Sequence, residues 1–287
     1  GPPGSGKTML AKSLKNLLPA LSEDEIVEVT KLHSLGEHTI INNPIVDRPF
    51  RSPHHTASRA SIIGGGSKVQ PGEISLAHRG VLLLDELLEY PRTVLESLRQ
   101  PLEDHEITVS RANGKFNFPA NFLLVATMNP CPCGFLGDPE KTCICSQNQI
   151  INYQKRLSGP LLDRIDLTVS VSRVPHEKLL NNKMSTKSQQ ETFLSEIHKA
   201  YSIQRDRYKC SYKYNNDIPS SNVDKITSIS ESAKTFLTNA ARKLDLSTRS
   251  YFKVIKVSRT IADLEGSTSI EIPHIAESLQ YRQINIG

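Results

Sequence analysis

Gly1-Pro2-Pro3-Gly4-Ser5-Gly6-Lys7-Thr8 opens the chain and decides how the rest is read. Every fixed position of the phosphate-binding loop G-x-x-x-x-G-K-[ST] is met. Glycines let successive backbone N–H groups turn inward around phosphate oxygens, and the helix that follows directs its N-terminus at the same charge. In such a loop Lys7 reaches the β- and γ-phosphates of a nucleotide, and the Thr8 hydroxyl ligates Mg2+. A helix is expected from Lys7 to about Leu18, with Pro19 beyond its end. A phosphate loop normally follows a buried strand. None stands before Gly1, so the sequence is expected to be a fragment without the strand in the middle of its sheet.

Further along, Val81-Leu82-Leu83-Leu84 is a continuous apolar run closed by Asp85-Glu86, the pattern of a buried parallel strand. Phe122-Leu123-Leu124-Val125-Ala126 predicts a second such strand, and Leu167-Thr168-Val169-Ser170-Val171 a third. Helical spacing runs from Pro91 to Leu102. Strands alternating with helices predict an α/β fold, a parallel sheet with helices on both faces. Asn42 to Gly72 is rich in Pro, Gly, Ser and His and reads as loops around short elements. Ile107 to Arg111 and Lys115 to Phe118, joined through Asn113-Gly114, predict a β-hairpin. Composition shifts after Pro175. Asn181 to Gln190 reads as a polar surface excursion, Glu191 to Tyr208 as a helix and Lys209 to Asn222 as a loop. From Ser230 the pattern is helical, with breaks at Gly266 and Pro273. Two domains are expected: 1–180 as the α/β core and 181–287 as a small all-α domain.

Chemistry gathers at the strand ends. An acid at the carboxyl end of a buried strand can hold a nucleotide's metal, so Asp85 is expected to bind Mg2+ and Glu86 to orient and polarise the attacking water. Asn129 ends the next strand in Ala126-Thr127-Met128-Asn129-Pro130. Its amide either sits between the γ-phosphate and Glu86 or simply forms a turn before Pro130. Leu161-Leu162-Asp163-Arg164-Ile165-Asp166 sets Arg164 in an apolar stretch. It is either a cation donated to a transferring phosphoryl group or the partner of Asp163 or Asp166 on a surface turn. Neighbouring histidines such as His54-His55 point in different directions in most backbones, so a structural or inter-subunit role is expected of them rather than a shared ion.

A net charge of +5 permits a polyanionic partner without demanding one. No apolar run approaches the roughly 20 residues of a membrane span, and no basic-then-apolar leader opens the sequence, so a cytoplasmic protein with no membrane partner is expected. Cys131-x-Cys133 and Cys143-x-Cys145 offer four soft ligands, which suit a structural, tetrahedral Zn2+. Two disulfides, or buried thiols without an ion, are the other readings. Cys210 stands apart and no role is expected of it.

The phosphate loop, Asp85-Glu86, Asn129 and Leu-Leu-Asp-Arg164, in this order, resemble the AAA+ ATPases of the Mg-chelatase branch. Arg48-Pro-Phe-Arg-Ser-Pro-His-His-Thr-Ala-Ser58, Asn129-Pro-Cys-Pro-Cys-Gly134 and Ser158-Gly-Pro-Leu-Leu-Asp-Arg164 are similar to the Mg-chelatase-like proteins of the ComM/YifB type. The resemblance extends over essentially the whole chain, including Leu246-Ser-Thr-Arg-Ser250 and Arg259-Thr-Ile-Ala-Asp-Leu-Glu265. It implies a homo-oligomeric, hexameric ring that hydrolyses ATP and acts in branch migration of DNA during uptake and recombination. It also implies that Arg164 is the finger acting on a neighbour's ATP, and that Arg249 is a second sensor in an all-α lid. Apart from the resemblance, Ser247 is an expected helix N-cap, which sets Arg249 in a first turn. Family members carry a further Lon-like N-terminal domain, which the fragment beginning at Gly1 is expected to lack. The hairpin matches an insertion that helicase-like relatives aim into the ring's pore, where Lys115 with Arg111 across from it meets DNA phosphates or is merely solvated. Lys68, in Gly64-Gly65-Gly66-Ser67-Lys68, is a second candidate. Any DNA preference is then structural rather than base-specific. Two alternatives stand beside this reading: a Mg-chelatase subunit coupling the ATPase to metal insertion, and a nucleotide-regulated scaffold.

Overall fold

The computed structural model describes residues 1–36, 43–66, 69–111, 114–174, 186–209, 214–223 and 227–282. The chain divides into two compact units, one built mainly on Gly1–Arg164 and the other mainly on Asn181–Asn285. Lys68, Asn113 and Cys210 lie outside the described residues.

The first unit is organised by a parallel sheet in which Val81–Leu84 is central, between Phe50–Arg51 and Leu123–Ala126. Its four side chains are fully buried, as an unbroken apolar run requires of a strand covered on both faces. Gly80 leads into it because a Cβ there would stand 1.9 Å from the Pro49 carbonyl oxygen. The core formed around this strand includes Ile62, Ile74, Leu88, Leu95, Leu98 and Leu161. The hairpin pairs Glu106–Arg111 with Gly114–Pro119 and seats Ile107, Val109 and Phe118 in the same core.

Several elements differ from the sequence expectation. After Lys7–Ser13 the helix tightens into a 3-10 turn over Leu14–Leu17. The helix expected over Pro91–Leu102 is two, Arg92–Ser97 and Pro101–Asp104, because Pro101 lacks the N–H that a continuing helix needs and instead opens the second. Leu167–Val171 is neither strand nor helix, and none of the described strands pairs with it. The Val171 carbonyl is in close contact with Gly1 instead, where an added Cβ would approach it to 2.1 Å.

The second unit is helical. Its long helix Thr186–Tyr208 begins inside the stretch expected to be a surface excursion. Glu231–Lys243, Thr248–Glu265 and Ile272–Gln280 follow, packed around Leu237, Val254, Ile255 and Ile275. Gly266 closes the second of these at φ +76°, a conformation only glycine adopts without strain. Pro273 begins a helix rather than breaking one. Arg259 is 1% exposed and donates to Asp263 and to the carbonyls of Thr227, Ser267 and Thr268, while Arg207 also pairs with Asp263. A buried charge is tolerated there because each donor has a partner.

Candidate nucleotide site

The first eight residues form the loop that their composition requires. Gly4 and Gly6 take φ +78° and +83°, values that side chains rarely adopt, and Gly6 leads directly into the helix at Lys7. The Ser5 hydroxyl donates to the Pro2 carbonyl at 2.9 Å. Lys7 Nζ turns back over the loop, donating to the carbonyls of Gly1 and Pro2 at 2.7 Å each and to Asn129 Oδ1 at 3.1 Å. Partial burial holds the amine below the ordinary lysine range, while Asp85 and Glu86 pull the other way.

Thr8 Oγ1 donates to both carboxylate oxygens of Asp85 at 3.1 Å. Asp85 stands there because it leaves the central strand one residue after Leu84. Sheet register, with Leu84 opposite Ala126, brings Thr127 alongside it. The Thr127 hydroxyl donates to Asp85 and accepts the Glu86 N–H at 3.1 Å. A hydroxyl and a carboxylate side by side are hard oxygen donors of the kind Mg2+ takes alongside phosphate oxygens and water, so the residues fit that ion.

Glu86 is backbone-strained, at φ +54°, at a cost on the order of 1–3 kcal/mol. Its backbone is pinned through Thr127, and its side chain is 57% exposed, with the His55 ring nitrogen 3.9 Å away. His54 and His55 have ring centroids 4.1 Å apart, and His55 meets Tyr90 edge-on. Tyr90 donates to the Pro53 carbonyl at 2.6 Å, and burial with the nearby Asp85 charge pushes its phenol up to about 12. Thr127 and Tyr90 were not singled out from the sequence, whereas His55 was expected, with His54, to serve a structural or inter-subunit role. Only the pairing of the two strands, which sets Thr127 next to Asp85, would have pointed to Thr127.

Arg164 pairs with Glu103 and donates to the carbonyls of Arg99 at 3.0 Å and Pro160 at 2.7 Å. Those contacts lie outside the two acids expected from its own turn. Arg249, in the second unit, lies in the first turn of Thr248–Glu265, whose N-cap is Ser247 accepting from the Ser250 N–H. Lys115 is exposed in the hairpin opposite Ser110. Arg111 stands opposite Gly114, so the two are one rung apart rather than facing each other. The shift follows from the two-residue connection, which pairs 111 with 114.

The four cysteine sulfurs lie within 4.8 Å of one another. Gly134, at φ +83°, packs their segment against the phosphate loop: a Cβ there would meet Pro3 Cδ at 2.6 Å and Asn129 Cγ at 3.8 Å.

A glycine-rich loop entering a helix, with Lys7 and Thr8 facing Asp85, Glu86 and Asn129 from the ends of two adjacent parallel strands, defines the site of a P-loop nucleotide-binding protein. Residues 1–179 match the family described as magnesium chelatase, subunit ChlI, and residues 185–282 match its C-terminal family. The chain belongs to this Mg-chelatase family of AAA+ proteins and is of the ComM/YifB type. It is 45% identical over 283 residues to "Competence protein ComM" of Haemophilus influenzae, an alignment spanning 98% of this chain and 54% of that protein. It is 39% identical over 286 residues to "Uncharacterized protein YifB" of Salmonella typhimurium, covering 99% of this chain and 55% of the relative. To "Magnesium-chelatase subunit ChlI" of Bigelowiella natans it is 28% identical over 152 residues, 45% of this chain and 42% of that protein. The chain thus spans about half the length of the ComM and YifB relatives. Among the described residues, no helix is long and apolar enough to cross a membrane.

Proposed function

We propose that this chain is the ATP-hydrolysing part of a ring-forming motor that remodels branched DNA in the cytoplasm. The observation that carries the proposal is the meeting of Lys7, Thr8, Asp85, Glu86 and Asn129 around one phosphate loop, from stretches far apart in sequence. Lys7 exchanges its loop carbonyls for β- and γ-phosphate oxygens, and Gly1–Thr8 supply the backbone donors. When bound, Mg2+ neutralises charge on those oxygens. Thr8 and Asp85 are the residues to hold it. Glu86 orients and polarises the attacking water, and Asn129 positions it.

The ring reading makes Arg164 the residue that acts on a neighbouring subunit's ATP, for which it must let go of Glu103, and Arg249 the second sensor. A hexamer is the assembly proposed. Lys115, Arg111 and Lys68 meet DNA phosphates, giving affinity without base readout. The cofactors are ATP and Mg2+, with Zn2+ as a structural ion on the four cysteines. Similarity to a protein named for competence supports the DNA half of the proposal.

The test is ATP turnover by the full-length protein with and without a four-way DNA junction. Stimulation of several-fold by the junction is expected. Turnover indifferent to every DNA offered would remove the DNA motor and favour the metal-insertion role suggested by the chelatase likeness.

A further inference from the structure

The stretch 131–145 has no helix or strand. It buries little apolar surface of its own: Cys131 is fully buried, but Leu136 is 38% and Ile144 86% exposed. Irregular stretches of this length need something besides a core to fix them. Some of that comes from Asp138, which accepts the backbone N–H groups of Glu140 and Lys141, and from Arg173, which pairs with Asp138 and lies over the Phe135 ring. These contacts hold the outer turn. They do not explain why four sulfurs converge at its base.

Cys131 Sγ lies 3.4 Å from Cys133 Sγ and 3.7 Å from Cys143 Sγ, and the latter two are 3.6 Å apart. Zn–S bonds of about 2.3 Å set tetrahedral S···S edges at about 3.8 Å. The spacing therefore suits one ion. An iron–sulfur cluster would spread its thiolates over several irons, and the sulfurs are too far apart for disulfide bonds of about 2.05 Å. Four protein thiolates leave no open position for catalysis, so the ion is structural.

Its location gives that ion a consequence. Cys131 and Cys133 sit between Asn129, which accepts from Lys7, and Gly134, which packs on Pro3 of the phosphate loop. From the other side, buried Gln154 donates to the Pro130 carbonyl at 3.0 Å. We propose that one Zn2+ on Cys131, Cys133, Cys143 and Cys145 clips the segment carrying Asn129 onto the phosphate loop, so that metal occupancy sets nucleotide affinity. This rests on reading Gly1–Thr8 as the nucleotide site.

The experiment measures metal content and affinity for a fluorescent ADP analogue on the same full-length samples, purified without added zinc. Compared are the parent, the double variant Cys143→Ser/Cys145→Ser, and Gly134→Ala, which keeps all four thiols but crowds Pro3. The parent and Gly134→Ala are expected to carry about one zinc per chain, and the double variant almost none. Both variants should bind nucleotide roughly tenfold more weakly or worse, since displacing site groups by about 1 Å can cost about a hundredfold in function. Should the double variant not fold, zinc is stripped from the parent with a mercurial and a chelator and then returned. Affinity should fall and recover with it. Less than about a tenth of an equivalent of zinc in the parent, or iron in its place, overturns the site. Zinc present but affinity unchanged within about twofold on its removal overturns the clip alone. A zinc-loaded parent that binds no nucleotide removes the nucleotide reading itself, and the clip with it.

Discussion

Lys7 Nζ donates to Asn129 Oδ1 at 3.1 Å, joining the first turn of the opening helix to the end of a strand 122 residues later. The bond spans the space between the phosphate loop and the strand ends, where a γ-phosphate would be read. Asn129→Ala removes the amide but leaves the loop's backbone donors and Lys7 in place. Nucleotide affinity should change by less than about tenfold, while turnover drops roughly a hundredfold, the scale of losing one positioned polar group in a transition state. Calorimetric titration beside steady-state turnover checks this. Equal losses in both would show Asn129 to be a binding residue only.

Glu86 is held in a left-handed conformation by its N–H bond to Thr127, with its carboxylate more than half exposed and the His55 ring nitrogen 3.9 Å away. Strain at such a position signals a constraint other than packing. Glu86→Gln keeps size and backbone and loses the basic oxygen, so binding should persist while hydrolysis falls by about 10² or more. Turnover at the parent rate would mean that another residue activates the water.

Arg164 is held by Glu103 and two carbonyls within its own chain. If it acts in trans, Arg164→Ala and Asp85→Asn are each inactive alone, yet mixed rings contain interfaces with one intact Asp85 facing one intact Arg164. Partial recovery of ATP turnover on mixing is expected. No recovery at any ratio, with ring assembly verified by light scattering, would count against donation between subunits.

His78 supplies a pH dependence of stability. Its Nδ1 accepts the Asn121 N–H at 3.0 Å, so the ring is neutral with its proton on Nε2, toward Glu28 at 3.3 Å. Burial lowers its affinity for a proton. Glu28 and Glu25 oppose this, and Arg79 adds to it. The folded value is therefore below the unfolded one of about 6.5. The stabilisation is present above that pH and is lost as pH falls toward the folded value, because the unfolded chain then binds more protons. Melting temperature should decline between about pH 7 and 5 in the parent and decline less steeply in His78→Gln. Parallel curves would exclude His78 as a source.

Much of this was legible in the sequence. The phosphate loop, Asp85-Glu86 and the hairpin are signalled by short-range patterns that the structure keeps, because glycine placement, apolar runs and turn chemistry act locally. What was not legible depends on neighbours. Leu167–Val171 has strand composition, but a strand exists only beside a pairing partner. Thr127 is an unremarkable residue until register sets it against Asp85. The convergence of two Cys-x-Cys pairs was visible as spacing, whereas their attachment to the phosphate loop through Gly134 and Pro3 was not, since it needs a contact across more than a hundred residues.

Phosphate release from ATP and Mg2+ by the full-length protein, measured for the parent and for Lys7→Ala, bears most directly on the site. Steady turnover by the parent is expected, with none above background in Lys7→Ala, whose folding is verified by an unchanged melting temperature in the absence of nucleotide. A well-folded parent without turnover, or a Lys7→Ala variant as active as the parent, would contradict the assignment of Gly1–Thr8 as the site of an ATP-hydrolysing motor.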